Sequence, residues 1–426
     1  MGFPMKIGID FGTTNSSVAV ARNGVVEMAS FASSSGLSES FRSVLYLDMV
    51  KQAGGLTGVK SWAGNIGIDE YLAADPKGRL VQSLKSFLSS RLFDKTEILR
   101  RMYTLEDLIA RILRDIREQA ETQFGVPIRD VVAGRPVRFV GSDKDEDDQF
   151  AVARLEKAYL QAGFEKVQFV MEPVGAAQYY ESRLDHDELI LIGDFGGGTS
   201  DFSLLRVGPG IRERGRRPND LLGNAGLGLA GDAFDARIIR KLVSPALGAG
   251  TQISSMGKML PTPNWVYAKL ERWHHLSFLR SRETINMLES VRAQSQEPER
   301  IEALLHIINE DLGYQLHRAV QKTKCELSAA TAARFHFTDG TVEIDSMVTR
   351  AQFEEWIVEE LRSVETCVDG LLTRCKVERS AVDMVFLTGG SSFVPAVRKI
   401  FADRFGEEKI QTGNEFTSVA RGLALM

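Results

Sequence analysis

Two short runs place an aspartate at the end of an apolar stretch, just before glycine and hydroxyl residues. They are Asp10-Phe11-Gly12-Thr13-Thr14-Asn15 and Asp194-Phe195-Gly196-Gly197-Gly198-Thr199-Ser200-Asp201. Glycine lets backbone N–H groups come close to an anion, and successive N–H groups in a turn make a cradle for phosphate. Thr13, Thr14 and Thr199 would add hydroxyl donors. Aspartates converging on the same phosphates would suit magnesium, which keeps most of its waters and needs only one or two protein carboxylates. Either run alone reads more simply as a turn; their recurrence in one context favours phosphate binding. A third candidate, Glu172, heads Glu172-Pro173-Val174-Gly175-Ala176-Ala177. It could face water around such a metal, or only cap a helix. Other phosphate sites fit less well: no G-x-x-x-x-G-K-[ST] run precedes a helix, and each glycine turn leads into a strand, whereas a dinucleotide site wants a helix there.

The elements that must hold these residues follow from periodicity. Residues 6–12 alternate and break at Gly12, and 17–21 resume an apolar strand, which predicts a hairpin with its tip at 13–16. Residues 189–192 and 202–207 predict a second hairpin around 196–198. A hairpin repeated a little under half a chain later suggests a duplicated fold, one copy per lobe. Residues 104–124 predict a helix, with Thr104 and Asp107 at its start, Gly125 at its stop, and Leu105, Leu108, Ile109, Ile112, Leu113 and Ile116 on one face. Strands are expected at 130–133, 167–170 and 384–387, and a helix at 148–162. The polar run 142–149 reads as a solvated loop and helix start rather than an acidic binding patch. Pro173 suits the first position of the helix it opens. Residues 244–300, interrupted by Pro261-Thr262-Pro263, carry long helical patterns with Trp265, Trp273 and Leu276, and helix is expected again over 301–328.

A chain of 426 residues exceeds what one core usually serves, so at least two lobes are expected. A formal charge of -5 offers no broad basic field for nucleic acid or anionic lipid. Cys325, Cys367 and Cys375 are too scattered for a disulfide framework or structural zinc. His274 and His275 are adjacent, and neighbours on a helix face different ways, so no metal pattern emerges. The first residues lack the regions of a signal peptide, and no apolar run reaches membrane-spanning length. A cytoplasmic protein with no nucleic-acid or membrane partner is expected.

Residues 7–16 resemble the first phosphate motif of the seventy-kilodalton heat-shock (DnaK-type, Hsp70) family, and residues 194–201 its second. Glu172-Pro173-Val174-Gly175-Ala176-Ala177 resembles the connecting-helix motif, and Leu387-Thr388-Gly389-Gly390-Ser391-Ser392-Phe393-Val394-Pro395 the adenosine motif. The order and spacing match across nearly the whole chain. The resemblance implies an α/β, duplicated actin-like ATPase (ribonuclease H-like) fold of two lobes, each with an inner nucleotide-binding and an outer subdomain. Lobe I would take 1–187, with its outer subdomain about 38–103. Lobe II would take 188–408, with its outer subdomain about 226–320, and 409–426 would return to lobe I. No peptide-binding domain is expected after 418–424, which suits the short YegD-type members.

The resemblance also implies roles. Asp10, Asp194 and, through water, Glu172 would hold magnesium. Lys85 falls at the family's catalytic lysine, although on its own it reads equally as one lysine on a surface helix. Thr199 and Asp201 match residues that contact the γ-phosphate and orient the attacking water. Gly12, Thr13, Thr14, Asn15, Gly196, Gly197, Gly198 and Gly231 match phosphate-side positions, while Lys324, Ser328, Gly389, Gly390, Ser391 and Phe393 match nucleoside-side ones. Gln321 stands where a ribose-binding glutamate is usual, and Cys325 and Phe393 where an arginine flanks the adenine; Phe393 could stack on the base instead. The implied activity is slow, magnesium-dependent ATP hydrolysis by a chaperone-like module whose lobes open and close. Its cofactors would be ATP or ADP, Mg2+ and K+, and its partners client or co-chaperone proteins. The alternatives are a nucleotide-gated binding protein with negligible hydrolysis and a small-molecule kinase of the same superfamily.

Overall fold

Apolar alternation around Asp10 builds the central strand of a mixed sheet. In the computed structural model, residues 5–33, 36–51, 57–75, 78–142, 144–181, 184–255, 257–272, 279–412 and 418–426 are described. The strands of this first sheet are β1 (Lys6–Phe11), β2 (Asn15–Arg22), β3 (Val25–Met28), β4 (Phe41–Arg42), β5 (Asp130–Arg135) and β6 (Lys166–Met171). Their order is β6-β5-β1-β2-β3, with β4 pairing β2 off this path. β1 runs antiparallel to β2 and parallel to β5. A second sheet holds β7 (Glu188–Phe195), β8 (Ser200–Val207), β9 (Leu221–Leu227), β10 (Met384–Thr388) and β11 (Ile410–Thr412), in the order β9-β8-β7-β10-β11. Here β7 runs antiparallel to β8 and parallel to β10.

Read from opposite ends, the two orders coincide strand for strand. The register repeats as well: Asp10 faces Ser17 and Phe11 faces Ser16, while Asp194 faces Asp201 and Phe195 faces Ser200. The duplication expected from the paired hairpins is therefore present in topology and register.

The chain divides into two compact units, one of Met1–Gly228, Thr366–Ser392 and Phe401–Met426, the other of Leu229–Glu365 and Phe393–Ile400. Both sheets belong to the first. There α1 (Leu105–Phe124) buries all six apolar residues expected on its face. Its capping box is formed: the Asp107 N–H donates to Thr104 Oγ1 at 3.1 Å and the Thr104 N–H to Asp107 Oδ2 at 2.9 Å. Gly125 ends it with a φ of 69°, where glycine carries no steric cost. Helix α2 (Asp145–Gln161) starts earlier than expected. Asp145, Glu146, Asp147 and Asp148 fill its first turn, where unpaired N–H groups favour negative charge.

Helix α3 (Glu172–Glu181) follows β6 and packs against α6 (Ser418–Ala424), which lies on the first sheet. Small residues make that contact possible: a Cβ at Gly8 would fall 2.3 Å from the Ala420 carbonyl oxygen, and one at Gly175 would fall 3.1 Å from the Leu423 side chain. Ala420 and Ala424 are buried with Ala19, Ala21 and Met28.

The second unit contains α4 (Gly231–Ile238) and α5 (Gly313–Ala329). The long helical patterns expected over 244–300 are broken up. A hairpin of Gln252–Ser255 and Lys258–Pro261 precedes the helices Asn264–Leu270 and Arg282–Gln294. Pro261 closes a strand and Pro263 caps a helix start, each where proline's missing N–H is tolerated. Trp273, His274, His275 and Leu276 lie outside the described residues. The helix expected over 301–328 is two, Pro298–Asn309 and α5, separated at Asp311 with a φ of 52°. Among the described residues, no helix is long and apolar enough to cross a membrane.

Candidate active site

β1 and β7 each carry an aspartate to the place where the strand turns back. Gly12 is required at the first tip, because a Cβ there would sit 2.0 Å from the Asn15 carbonyl oxygen. Thr13 and Thr14 complete that tip, and Asn15 opens β2. The second tip, 196–199, closes through the Gly196 N–H, which donates to the Thr199 carbonyl at 2.9 Å. Gly389, after β10, has a φ of 84°, and a Cβ there would fall 2.0 Å from the Phe195 carbonyl oxygen. The turn of Gly390 and Ser391 thus starts directly against the end of β7. Thr388, the last residue of β10, donates its hydroxyl to Asp194 Oδ1 at 2.9 Å.

Lys85 is not on a surface helix. It occupies a 3-10 turn, Leu84–Phe87, and is only 8% exposed. Its Nζ donates to Glu172 Oε1 at 2.7 Å, so the first residue of α3 is an ion-pair partner. Buried Arg154 on α2 fastens the chain beyond this turn. Its guanidinium pairs with Glu106 at 3.0 Å and donates to the carbonyls of Leu88, Ser90 and Phe93 at 3.3, 3.1 and 3.0 Å.

The electrostatics connect these groups. Burial, then the Glu172 charge and the Asp194 charge, push the Asp10 carboxyl up to about 8 against the pull of Lys85. Burial and Glu172 raise Asp194 to about 6, although the Thr388 hydroxyl and Lys85 favour its ionised form. Burial and the charges of Asp194 and Glu172 raise Asp201 to about 7, opposed by its bond to Thr199. Burial disfavours the Lys85 charge, but Glu172 and Asp10 outweigh that and hold its pKa above the ordinary lysine range. Four carboxylates therefore share one lysine in a largely buried site. Such a hard-oxygen, negatively charged set fits a divalent cation of the magnesium type.

In the second unit, Gly231 opens α4 and Lys324 sits on α5. Lys324 Nζ meets Asp235 Oδ1 at 2.8 Å and donates to the Gly231 carbonyl at 3.1 Å. Gln321 also bonds Asp235. Ser328 donates back along α5 to the Lys324 carbonyl at 3.2 Å, and Phe393 is 50% exposed. The sequence-based site set omitted Thr388, Asp235 and Arg154. Thr388 stood inside the Thr-Gly-Gly-Ser close and could have been found there; the others take meaning only from partners distant in the chain.

A doubled sheet with one aspartate-tipped hairpin per copy is the α/β, duplicated actin-like ATPase (ribonuclease H-like) fold. The sequence profile of the family described as Hsp70 protein matches residues 82–254 and 295–426, well over half of the chain. The chain belongs to the Hsp70 family. It is 26% identical over 436 residues to the Chaperone protein DnaK of Prochlorococcus marinus (strain MIT 9515), an alignment covering 98% of this chain and 58% of that relative. It thus spans a little over half the length of the curated relative it matches.

Proposed function

We propose that this chain binds ATP and hydrolyses it slowly with magnesium. The observation that carries the proposal is the buried Lys85–Glu172 pair beside Asp10 and Asp194, whose carboxyls resist ionisation without a further cation. Phosphoryl transfer to water demands positioning and charge stabilisation more than covalent chemistry. The N–H groups of 12–14 and 197–199, with the hydroxyls of Thr13, Thr14 and Thr199, would bind phosphate oxygens, and Gly196 would hold the second turn in shape. Lys85 would stabilise charge developing on the transferred group. Asp201, raised to about 7, would accept a hydrogen bond from the attacking water, close to the pKa at which a general base is most effective near neutrality.

Asp10, Asp194 and, through water, Glu172 would hold magnesium, whose charge would offset that of the polyphosphate. Lys324, Ser328, Gly389, Gly390, Ser391 and Phe393 would face the nucleoside and Gly231 the phosphates, and potassium is a further candidate ion. Turnover would drive two lobes, divided near residue 188, between open and closed states. In a cytoplasmic setting, client or co-chaperone proteins would read that change. A gated binding protein with negligible hydrolysis is the second reading.

Single-turnover hydrolysis of ATP with magnesium separates the two. Cleavage by the intact protein, with Asp194→Asn and Lys85→Ala binding ATP but stalling, supports the ATPase. Tight binding without cleavage selects the gated protein.

A further inference from the structure

Arg42 belongs to β4, which pairs with the start of β2 so that Arg42 faces Asn15 and Phe41 faces Ser16. Two more contacts strap this strip to the first tip. The Ser43 N–H donates to the Thr14 carbonyl at 2.9 Å, and the Ser43 and Ser16 hydroxyls meet at 2.8 Å. The Arg42 guanidinium is half-buried, and its one hydrogen bond among the described residues is to the neutral amide oxygen Oδ1 of Asn15 at 3.1 Å. It has no carboxylate partner among them. By contrast, Arg135, Arg154 and Arg404 in the same unit are matched by Asp148, Glu106 and Asp369. Withdrawing a charge from water without a counter-ion is unfavourable, and this one is withdrawn at a tip shaped to receive anions.

We infer that Arg42 is a second cationic contact for the nucleotide, and that a phosphate oxygen of the polyphosphate supplies its missing counter-charge. A guanidinium has five N–H donors in a planar fork, which suits phosphate. This inference rests on the phosphate-binding reading given above. The contact it assigns to Arg42 is with the phosphates and not with the nucleoside. ATP and ADP should therefore feel it alike, and adenosine should not.

The test is calorimetric titration of the intact protein with ADP, ATP and adenosine in magnesium, comparing wild type, Arg42→Gln and Arg42→Lys. Glutamine keeps a donor for Asn15 but carries no charge; lysine keeps the charge without the fork. The expected result is a loss of about ten- to hundredfold in ADP and ATP affinity for Arg42→Gln, the worth of a charge-assisted hydrogen bond. Adenosine affinity should not change, and Arg42→Lys should recover part of the loss. Unchanged ADP affinity in Arg42→Gln would overturn the inference while leaving the phosphate reading intact. So would an equal loss for adenosine, which marks a general disturbance of the tip. Failure of the wild type to bind ADP at all would overturn both.

Discussion

Asp10→Asn should stabilise the ligand-free protein at alkaline pH while removing the ATP turnover proposed above. The Asp10 carboxyl is raised from 3.8 to about 8, first by burial and then by Glu172. A carboxyl that holds its proton more tightly when folded favours the folded state below pH 3.8, and that advantage is lost as pH rises through about 8. Each pKa unit corresponds to about 1.4 kcal/mol, which sets a ceiling of roughly 6 kcal/mol above pH 8. Glu172 and Asp194 share the same repulsion and relax together, so about 2–3 kcal/mol is the expected share of Asp10. The assay is urea unfolding in EDTA, followed by tryptophan fluorescence at pH 5.5 and pH 8.5. The midpoint of Asp10→Asn should exceed that of the wild type, with a larger gap at pH 8.5. Asp194 and Asp201 remain in both proteins, so the change in the gap reports Asp10 together with its coupling to Asp194. A gap that stays constant with pH, or a wild type that gains stability on going to pH 8.5, would refute the reasoning.

Three further outcomes follow from the same geometry. Magnesium alone should raise the unfolding midpoint of the wild type more at pH 8 than at pH 5.5, where protons compete for the same carboxylates, and Asp194→Asn should lose most of this response. Arg154→Met should cost about 3–5 kcal/mol in urea unfolding, because Glu106 would be left buried without its cation. The same variant should slow single-turnover hydrolysis by loosening the turn that carries Lys85. Gly12→Ala should keep a wild-type circular dichroism spectrum but bind ADP at least about tenfold more weakly, since its Cβ must displace the Asn15 carbonyl 2.0 Å away.

The paired hairpins were legible because all their chemistry lies in continuous runs, where strand alternation, glycine and aspartate follow one another. Helix α1 was legible for a similar reason: its cap, apolar face and stop are local signals that agree. Lys85 was not, since nothing in Ser83-Leu84-Lys85-Ser86-Phe87 reveals that its partner is Glu172, 87 residues on. Arg42 carries no motif at all; its meaning comes from the pairing of β4 with β2. Residues 244–300 misled because helical periodicity there is cut by a hairpin and by separate short helices, and tertiary packing decides such short pieces.

The seating of α6 against β1 has a consequence for how the chain is made. The Lys6 ammonium donates to the Met426 carbonyl oxygen at 2.5 Å, across 420 residues of sequence. At about 5–20 residues per second, translation leaves the first strand waiting on the order of tens of seconds for the helix that covers it. Throughout that interval the face of Gly8 and the alanines of β2 has no cover from its own chain. Nascent protein halted before residue 418 should therefore be the form most prone to aggregate, and the form most dependent on chaperones during its own synthesis.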